Sequence, residues 1–215
     1  MKKFSGYEET QTFGDSERLE LGGHIVKILE VEVKKLKTKE DKEFEQLILK
    51  IDMADTDKQA GYYSKKFASD AQQDAMKAKW KGYYKIGIPD DNASDNAKKA
   101  FKTLITSIEK SNPGYNWNWE EKQLVGKVFG GVFGLEEFQN DMGEIIAFSR
   151  CRFVRSTEKI EEVQPPKVKL LDGSLIEYEE YKAKRKAERE NKEQETQSED
   201  KEEKGFINEG DDLPF

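Results

Sequence analysis

The sequence holds one cysteine, Cys151, and one histidine, His24. A single cysteine cannot close an internal disulfide, which fits a reducing compartment. One cysteine and one histidine also cannot make a structural zinc site of the usual Cys/His kind. Both are read as ordinary structural residues, and neither a metal nor a cofactor is expected. No apolar run approaches the roughly 18 residues of a membrane helix. Residues 1–10 lack the basic-then-apolar order of a signal peptide, so the expectation is a cytoplasmic protein with no membrane partner. There is no P-loop glycine pattern, no G-x-S-x-G elbow, no Cys/His nucleophile pair and no EF-hand spacing of carboxylates. The chain is therefore not expected to be an enzyme.

What the sequence has in quantity is charge. Of 215 residues, 38% are charged and 35% hydrophobic, and mean hydropathy is −0.93. Part of the chain must stay outside any core. From Ile176 onward there are 14 acidic and 8 basic residues, a net of −6 out of the total −7. A balanced body followed by an acidic tail suggests a separate segment that meets a partner.

Residues 1–21 read as an N-terminal arm. Between 22 and 163 the pattern is that of a folded domain. His24–Val33 is rich in β-branched residues and its second half alternates, with Leu29, Val31 and Val33 against Glu30 and Glu32: a strand with one wet face. Glu43–Met53 reads as a second strand, antiparallel to the first, with Leu47, Leu49, Ile51 and Met53 on one face and Phe44, Gln46, Ile48, Lys50 and Asp52 on the other. Gly61–Phe67 is expected to be the third strand, 70–79 a helix, and Gly82–Ile88 a short extended piece ended by Pro89. Ala97, Phe101, Leu104, Ile105 and Ile108 recur at helical spacing, with Ser94 or Asp95 to cap the start and Asn112, Pro113 and Gly114 to stop it. Two further strands follow, Gln123–Phe133 and Glu144–Val154, joined through Asn140, Asp141 and Gly143. Gly126, Gly130, Gly131 and Gly134 suit a strand that bends or lets backbone come close.

This order is mainly β with helices, and a helix between strands 3 and 4 is the order of an OB-fold, the five-stranded Greek-key barrel that commonly binds oligonucleotides. Residues 164–195 read as a hairpin around Asp172 and Gly173 followed by a charged helical linker held by i,i+4 pairs. Residues 196–215 are expected to be a disordered acidic tail.

The sequence closes on EGDDLPF. A phenylalanine on an acidic tether has no neighbours with which to form a core, so it reads as a linear peptide. Its ring would fill a partner's pocket while Asp211, Asp212 and the terminal carboxylate meet basic residues around the rim. Asp211, Asp212, Leu213, Pro214 and Phe215, behind an OB-like strand order, resemble the acidic tip of the single-stranded DNA-binding proteins of bacteria and bacteriophages. The body is closer to the divergent versions carried by phages and mobile elements. The resemblance implies sequence-independent binding and protection of single-stranded DNA, and recruitment of replication, recombination and repair proteins through the tip. A homo-oligomer is left open.

Such binding needs aromatic faces for bases and cations for phosphates. Tyr62, Lys65 and Lys66 in YYSKKF, Trp80 and Tyr84 in KWKGYYK, and Phe148, Arg150 and Arg152 in FSRCRF bring the two together. In strand geometry Phe148, Arg150 and Arg152 share one face, while Ala147, Ser149, Cys151 and Phe153 share the other and can pack the barrel. Phe44, Ile48 and Lys50 lie on the second strand opposite its apolar row, where an OB-fold meets its ligand. Trp117 and Trp119 alternate and are expected to pack along one edge. The alternative is a replication or recombination accessory protein that carries the tip but does not coat single strands.

Overall fold

The computed structural model describes residues 18–38, 41–76, 78–188 and 190. The chain forms two compact units. One takes the described residues to Leu135 with Phe148–Pro166; the other takes Glu136–Ala147 and the described residues from Lys167 onward.

The larger unit is built on β1 (Gly22–Lys37), β2 (Glu43–Met53) and β3 (Tyr83–Ile88), with α1 (Tyr62–Gln73) between β2 and β3 and α2 (Asp95–Ser111) after β3. Strands β4 (Val128–Gln139) and β5 (Ile145–Arg155) follow. β1 pairs antiparallel with β2 over residues 26–37 and with β4 over residues 22–27, β2 pairs antiparallel with β3, and β5 pairs with β4. The strand order is therefore β3-β2-β1-β4-β5, and among the described residues no pairing joins β3 to β5. The protein is mainly β, with an open sheet.

The register of β1 on β2 explains how one strand serves two neighbours. Val26 faces Met53 and Ile28 faces Ile51, but Glu30 faces Lys50, so Leu29 is an extra residue. One inserted residue reverses the side-chain parity of the strand beyond it. His24, Val26 and Ile28 point inward before the bulge, and Val31 and Val33 lie opposite Leu49 and Leu47 after it. β2 keeps its parity throughout: Leu47, Leu49, Ile51 and Met53 are all buried.

Against this inner face packs α2, through Phe101, Leu104, Ile105 and Ile108. Its start is local: the Ser94 hydroxyl oxygen accepts from the Ala97 N–H at 3.3 Å. Its end is tied down by Asn112, whose side-chain N–H donates to the carbonyls of Ile108 and Val128 while its oxygen accepts from Val128 N–H. The expected helix between strands 3 and 4 is α2. Gly130 permits close approach, since a Cβ there would lie 2.6 Å from the Ser156 carbonyl oxygen and 2.8 Å from Ile160 Cδ1.

The expected third strand is a correction. Gly61–Phe67 is not extended; α1 starts at Tyr62 and ends at Gln73. Its cap comes from outside the helix. The buried carboxylate of Asp52 on β2 accepts from Tyr63 N–H at 2.7 Å, from Ser64 N–H at 3.1 Å and from the Ser64 hydroxyl, while Gly61 turns the chain at φ 66°. These N–H groups are the donors that the first turn of a helix leaves unsatisfied. The third strand is Tyr83–Ile88, the piece expected to be merely extended.

His24 and Asp57 form a second buried anchor, with neither side chain exposed. Asp57 accepts from His24 Nδ1 at 3.0 Å, from Ile25 N–H at 2.7 Å and from Gln59 N–H at 2.9 Å. Burial pushes the Asp57 carboxyl up, but the His24 hydrogen bond and the two amides outweigh it and hold the group below its ordinary value. His24 Nε2 lies 3.1 Å from the Glu20 carbonyl oxygen, which can only accept, so both ring nitrogens have acceptors.

In the smaller unit, β6 (Val168–Lys169) and β7 (Leu175–Ile176) form the expected hairpin, with Gly173 at φ 87°. β6 runs parallel to β4 at Glu136 and Lys169, whose side chains pair at 2.6 Å, making seven strands in one mixed sheet. Helix α3 covers residues 178–188 and carries Lys182–Glu179 and Arg185–Glu188 pairs at 2.7 and 2.9 Å. Among the described residues no helix is long and apolar enough to cross a membrane.

Candidate nucleic-acid interface

The outer face of β1, β2 and β3 is legible from the register. Across the three strands, Lys34, Gln46 and Gly87 make one row, Glu32, Ile48 and Lys85 the next, and Glu30, Lys50 and Tyr83 the third, with Leu36 and Phe44 paired at the far end. Phe44 and Tyr83 are exposed, at 37% and 43%. Ile48 is 8% exposed and forms the floor between them. The Lys85 ammonium lies 5.9 Å from the Tyr83 ring centroid. Gly87 has neither a positive φ nor a packing neighbour to explain it, and a Cβ there would meet nothing within 4 Å. A glycine that the fold does not require leaves room for something approaching from outside.

At the Tyr83 end the face meets α1 and Trp80. The Trp80 ring is half-buried, 5.9 Å from Phe67 and 6.4 Å from Tyr63, with Lys50 Nζ 5.0 Å from its centroid and its own N–H donated to the Gly82 carbonyl at 2.8 Å. Tyr62 stands edge-on to Tyr63 at 5.2 Å. Lys65 is exposed on α1. The cations here are largely matched by carboxylates. Lys50 pairs with Glu30 at 2.6 Å, and Asp70 takes both Lys66 at 3.3 Å and Lys81 at 3.1 Å. The Lys81 hydrogen bond holds Asp70 below the ordinary carboxylate value against a small opposing effect of burial. At the Phe44 end a groove of about 320 Å³ has Lys35 beside Glu43, Glu45 and Asp90, which disfavours a polyanion there.

The expected residues divide accordingly. Phe44, Ile48, Lys50, Tyr62, Lys66 and Trp80 belong to this face or its margin. Tyr84 does not: it is on the inner face opposite Leu49, 6.1 Å from Phe129, and burial pushes its hydroxyl up to about 12. Its neighbour Tyr83, which sequence reading passed over, takes the outer position. Phe148, Arg150 and Arg152 lie on β5, which is bonded to β4 and not to β2 or β3. Arg150 lies 5.0 Å from the Phe148 ring centroid, and Arg152 keeps a buried Nη1 without a hydrogen-bond partner.

Two expectations about packing also change. Cys151 is buried, and desolvation pushes its thiol up to about 12, so it is an unreactive core group. Phe153, expected to share its face, is 52% exposed, because the inward parity passes from Cys151 to Val154. Trp117 packs on the core, but Trp119 is 76% exposed, stacked on Phe101 with rings 13° apart, and has a backbone φ of 68°. The segment is loop, not strand, so alternation does not govern it. A bulky residue with positive φ is a conformational outlier.

Asp211, Asp212, Leu213, Pro214 and Phe215 lie outside the described residues. No family model matches the chain, and no curated protein matches it.

Proposed function

We propose that the protein binds single-stranded DNA without sequence preference on the outer face of β1–β3, and recruits replication, recombination or repair proteins through Asp211–Phe215. The observation that carries this reading is the combination of Trp80 under Lys50, Tyr83 beside Lys85, and the open space at Gly87 on adjoining rows of one sheet face. Bases stack on aromatic faces whatever their identity, while cations follow the phosphates, so such a face binds strands rather than sequences. The order β3-β2-β1-β4-β5 supports an OB-type architecture, since it is a five-stranded Greek key opened between β3 and β5, and the β2–β3 face is where that architecture takes oligonucleotides. The terminal DDLPF supports the recruiting role by its resemblance to the tip described above.

A second reading has one observation in its favour: the cations of this face are mostly paired. If those pairs do not open, the protein is an accessory factor that uses the tip without coating DNA. Anisotropy of a labelled thymine 30-mer, with unlabelled duplex as competitor, separates the two. Saturable binding that weakens with salt and resists duplex supports coating; no binding at low salt rejects it.

A further inference from the structure

Lys99, Lys102 and Lys110 on α2 border a groove of about 550 Å³ that is also lined by the buried Ser107 of the same helix and by Val154, Arg155 and Ser156 at and just after the end of β5. No carboxylate lines it, and none of the four cations has an ion-pair partner among the described residues. The hydroxyls in the groove are not equivalent. Thr103 and Ser107 donate back to the carbonyls of Lys99 and Thr103 at 2.7 and 2.6 Å, which leaves their oxygens as acceptors only. Thr106 has no described partner and keeps a donor to offer.

We propose that this groove is a phosphate track for the DNA backbone, a second contact that lengthens the strand covered by one protein; it rests on the single-strand-binding reading above. No aromatic ring lines the groove, so bases find no platform there and only charge and hydroxyl donors remain. From Lys99 to Lys110 the helix rises about 16 Å, long enough for one strand to bring several phosphates past these cations. A rigid row of cations over that distance matches an evenly charged polymer. An acidic docking peptide would need a pocket for its apolar residue, and Val154, the groove's one apolar side chain, is itself buried.

The test uses the full chain with Lys99→Gln, Lys102→Gln and Lys110→Gln combined, and a matched Lys→Arg variant at the same three positions. Binding of thymine 10-mers and 30-mers is followed across salt concentrations. For the 30-mer, the slope of log affinity against log salt becomes shallower by about 2 in the Gln variant, roughly 0.7 for each phosphate no longer neutralised, and stays at the wild-type value in the Arg variant. The 10-mer, short enough to sit on the sheet face alone, changes less. An unchanged 30-mer slope in a protein whose wild type binds DNA overturns the phosphate track and leaves the sheet-face reading standing, whether or not the variant loses affinity for a peptide of residues 199–215. Failure of the wild type to bind either oligonucleotide overturns both.

Discussion

Two surfaces of the larger unit carry lysines, and they treat them differently. On the β1–β3 face and its α1 margin, Lys50, Lys66 and Lys81 are each held by a carboxylate, and Lys50 also lies over the Trp80 ring. In the α2 groove, Lys99, Lys102, Lys110 and Arg155 have neither carboxylates nor rings. The first arrangement fixes cations in place beside stacking surfaces; the second leaves positive potential exposed. A paired lysine must exchange its carboxylate for a phosphate, so it adds less to net attraction but holds the surrounding rings in a defined geometry. An unpaired one contributes mainly to capture and salt dependence. Sequence-independent binding has use for both.

Both surfaces rest on a common scaffold, and the largest effect comes from breaking it. Asp57→Asn leaves the buried His24 without its charged partner and should cost about 3–5 kcal/mol, lowering the denaturation midpoint and weakening both surfaces together. Its pH dependence has a definite sign. The Asp57 carboxyl is held lower in the folded protein than in the unfolded chain. The pair's contribution is therefore complete above the unfolded value of about 3.9 and is lost as pH falls through the folded value. Wild type should lose stability on acidification below about pH 4, and Asp57→Asn should lack that part of the loss, as read by circular dichroism melts.

Next in size is the Tyr83 and Tyr84 pair, adjacent in sequence and opposite in role. Tyr84→Ala removes a ring packed on Phe129 and should cost about 3 kcal/mol of stability. Tyr83→Ala should leave the melt within about 0.5 kcal/mol but cost about 1–3 kcal/mol in affinity for a thymine oligonucleotide, the worth of one stacked base. Equal effects of the two on stability would dissolve the distinction between the faces.

The paired and unpaired lysines are separated more finely by Asp70→Asn. It releases Lys66 and Lys81, so the salt slope for single-stranded DNA should steepen by up to about 1.4, the equivalent of two neutralised phosphates. The smallest effect expected is from Gly87→Val, which fills the open space on β3. DNA affinity should drop several-fold, on the order of 1 kcal/mol, with stability unchanged, because nothing in the fold occupies that space.

How far these features are legible in the sequence follows from how local their causes are. α2 can be read because its apolar spacing, the Ser94 cap and the Asn112 stop all lie within the segment. The same holds for the β6–β7 hairpin at Asp172 and Gly173. α1 reads as a strand because YYSKKF has a strand-like aromatic content, and because the carboxylate that caps it, Asp52, sits on β2 across the turn that brings it there. The bulge at Leu29 leaves the alternation after it intact, so it gives no local sign of the change in parity. Tyr83 and Tyr84 cannot be told apart by composition; only the register of β3 on β2 sends one outward and the other into the core. The same is true of charge. YYSKKF and KWKGYYK look like free basic clusters until folding brings Asp70 to both Lys66 and Lys81. The unpaired cations of α2 are hidden in the opposite way: Lys99 and Lys102 sit in KKAFK, but Lys110 lies eight residues on and Arg155 is on β5, so only folding gathers them.

The most direct measurement leaves Trp80 as the sole tryptophan, by replacing Trp117 and Trp119 with Phe, and follows its fluorescence during titration with a thymine 30-mer while anisotropy of the same DNA reports binding. Quenching that tracks the anisotropy and is reversed by salt is expected if DNA lies along the β2–β3 face beside Trp80. Full binding by anisotropy with Trp80 fluorescence unchanged would place the DNA elsewhere and contradict the assignment of that face.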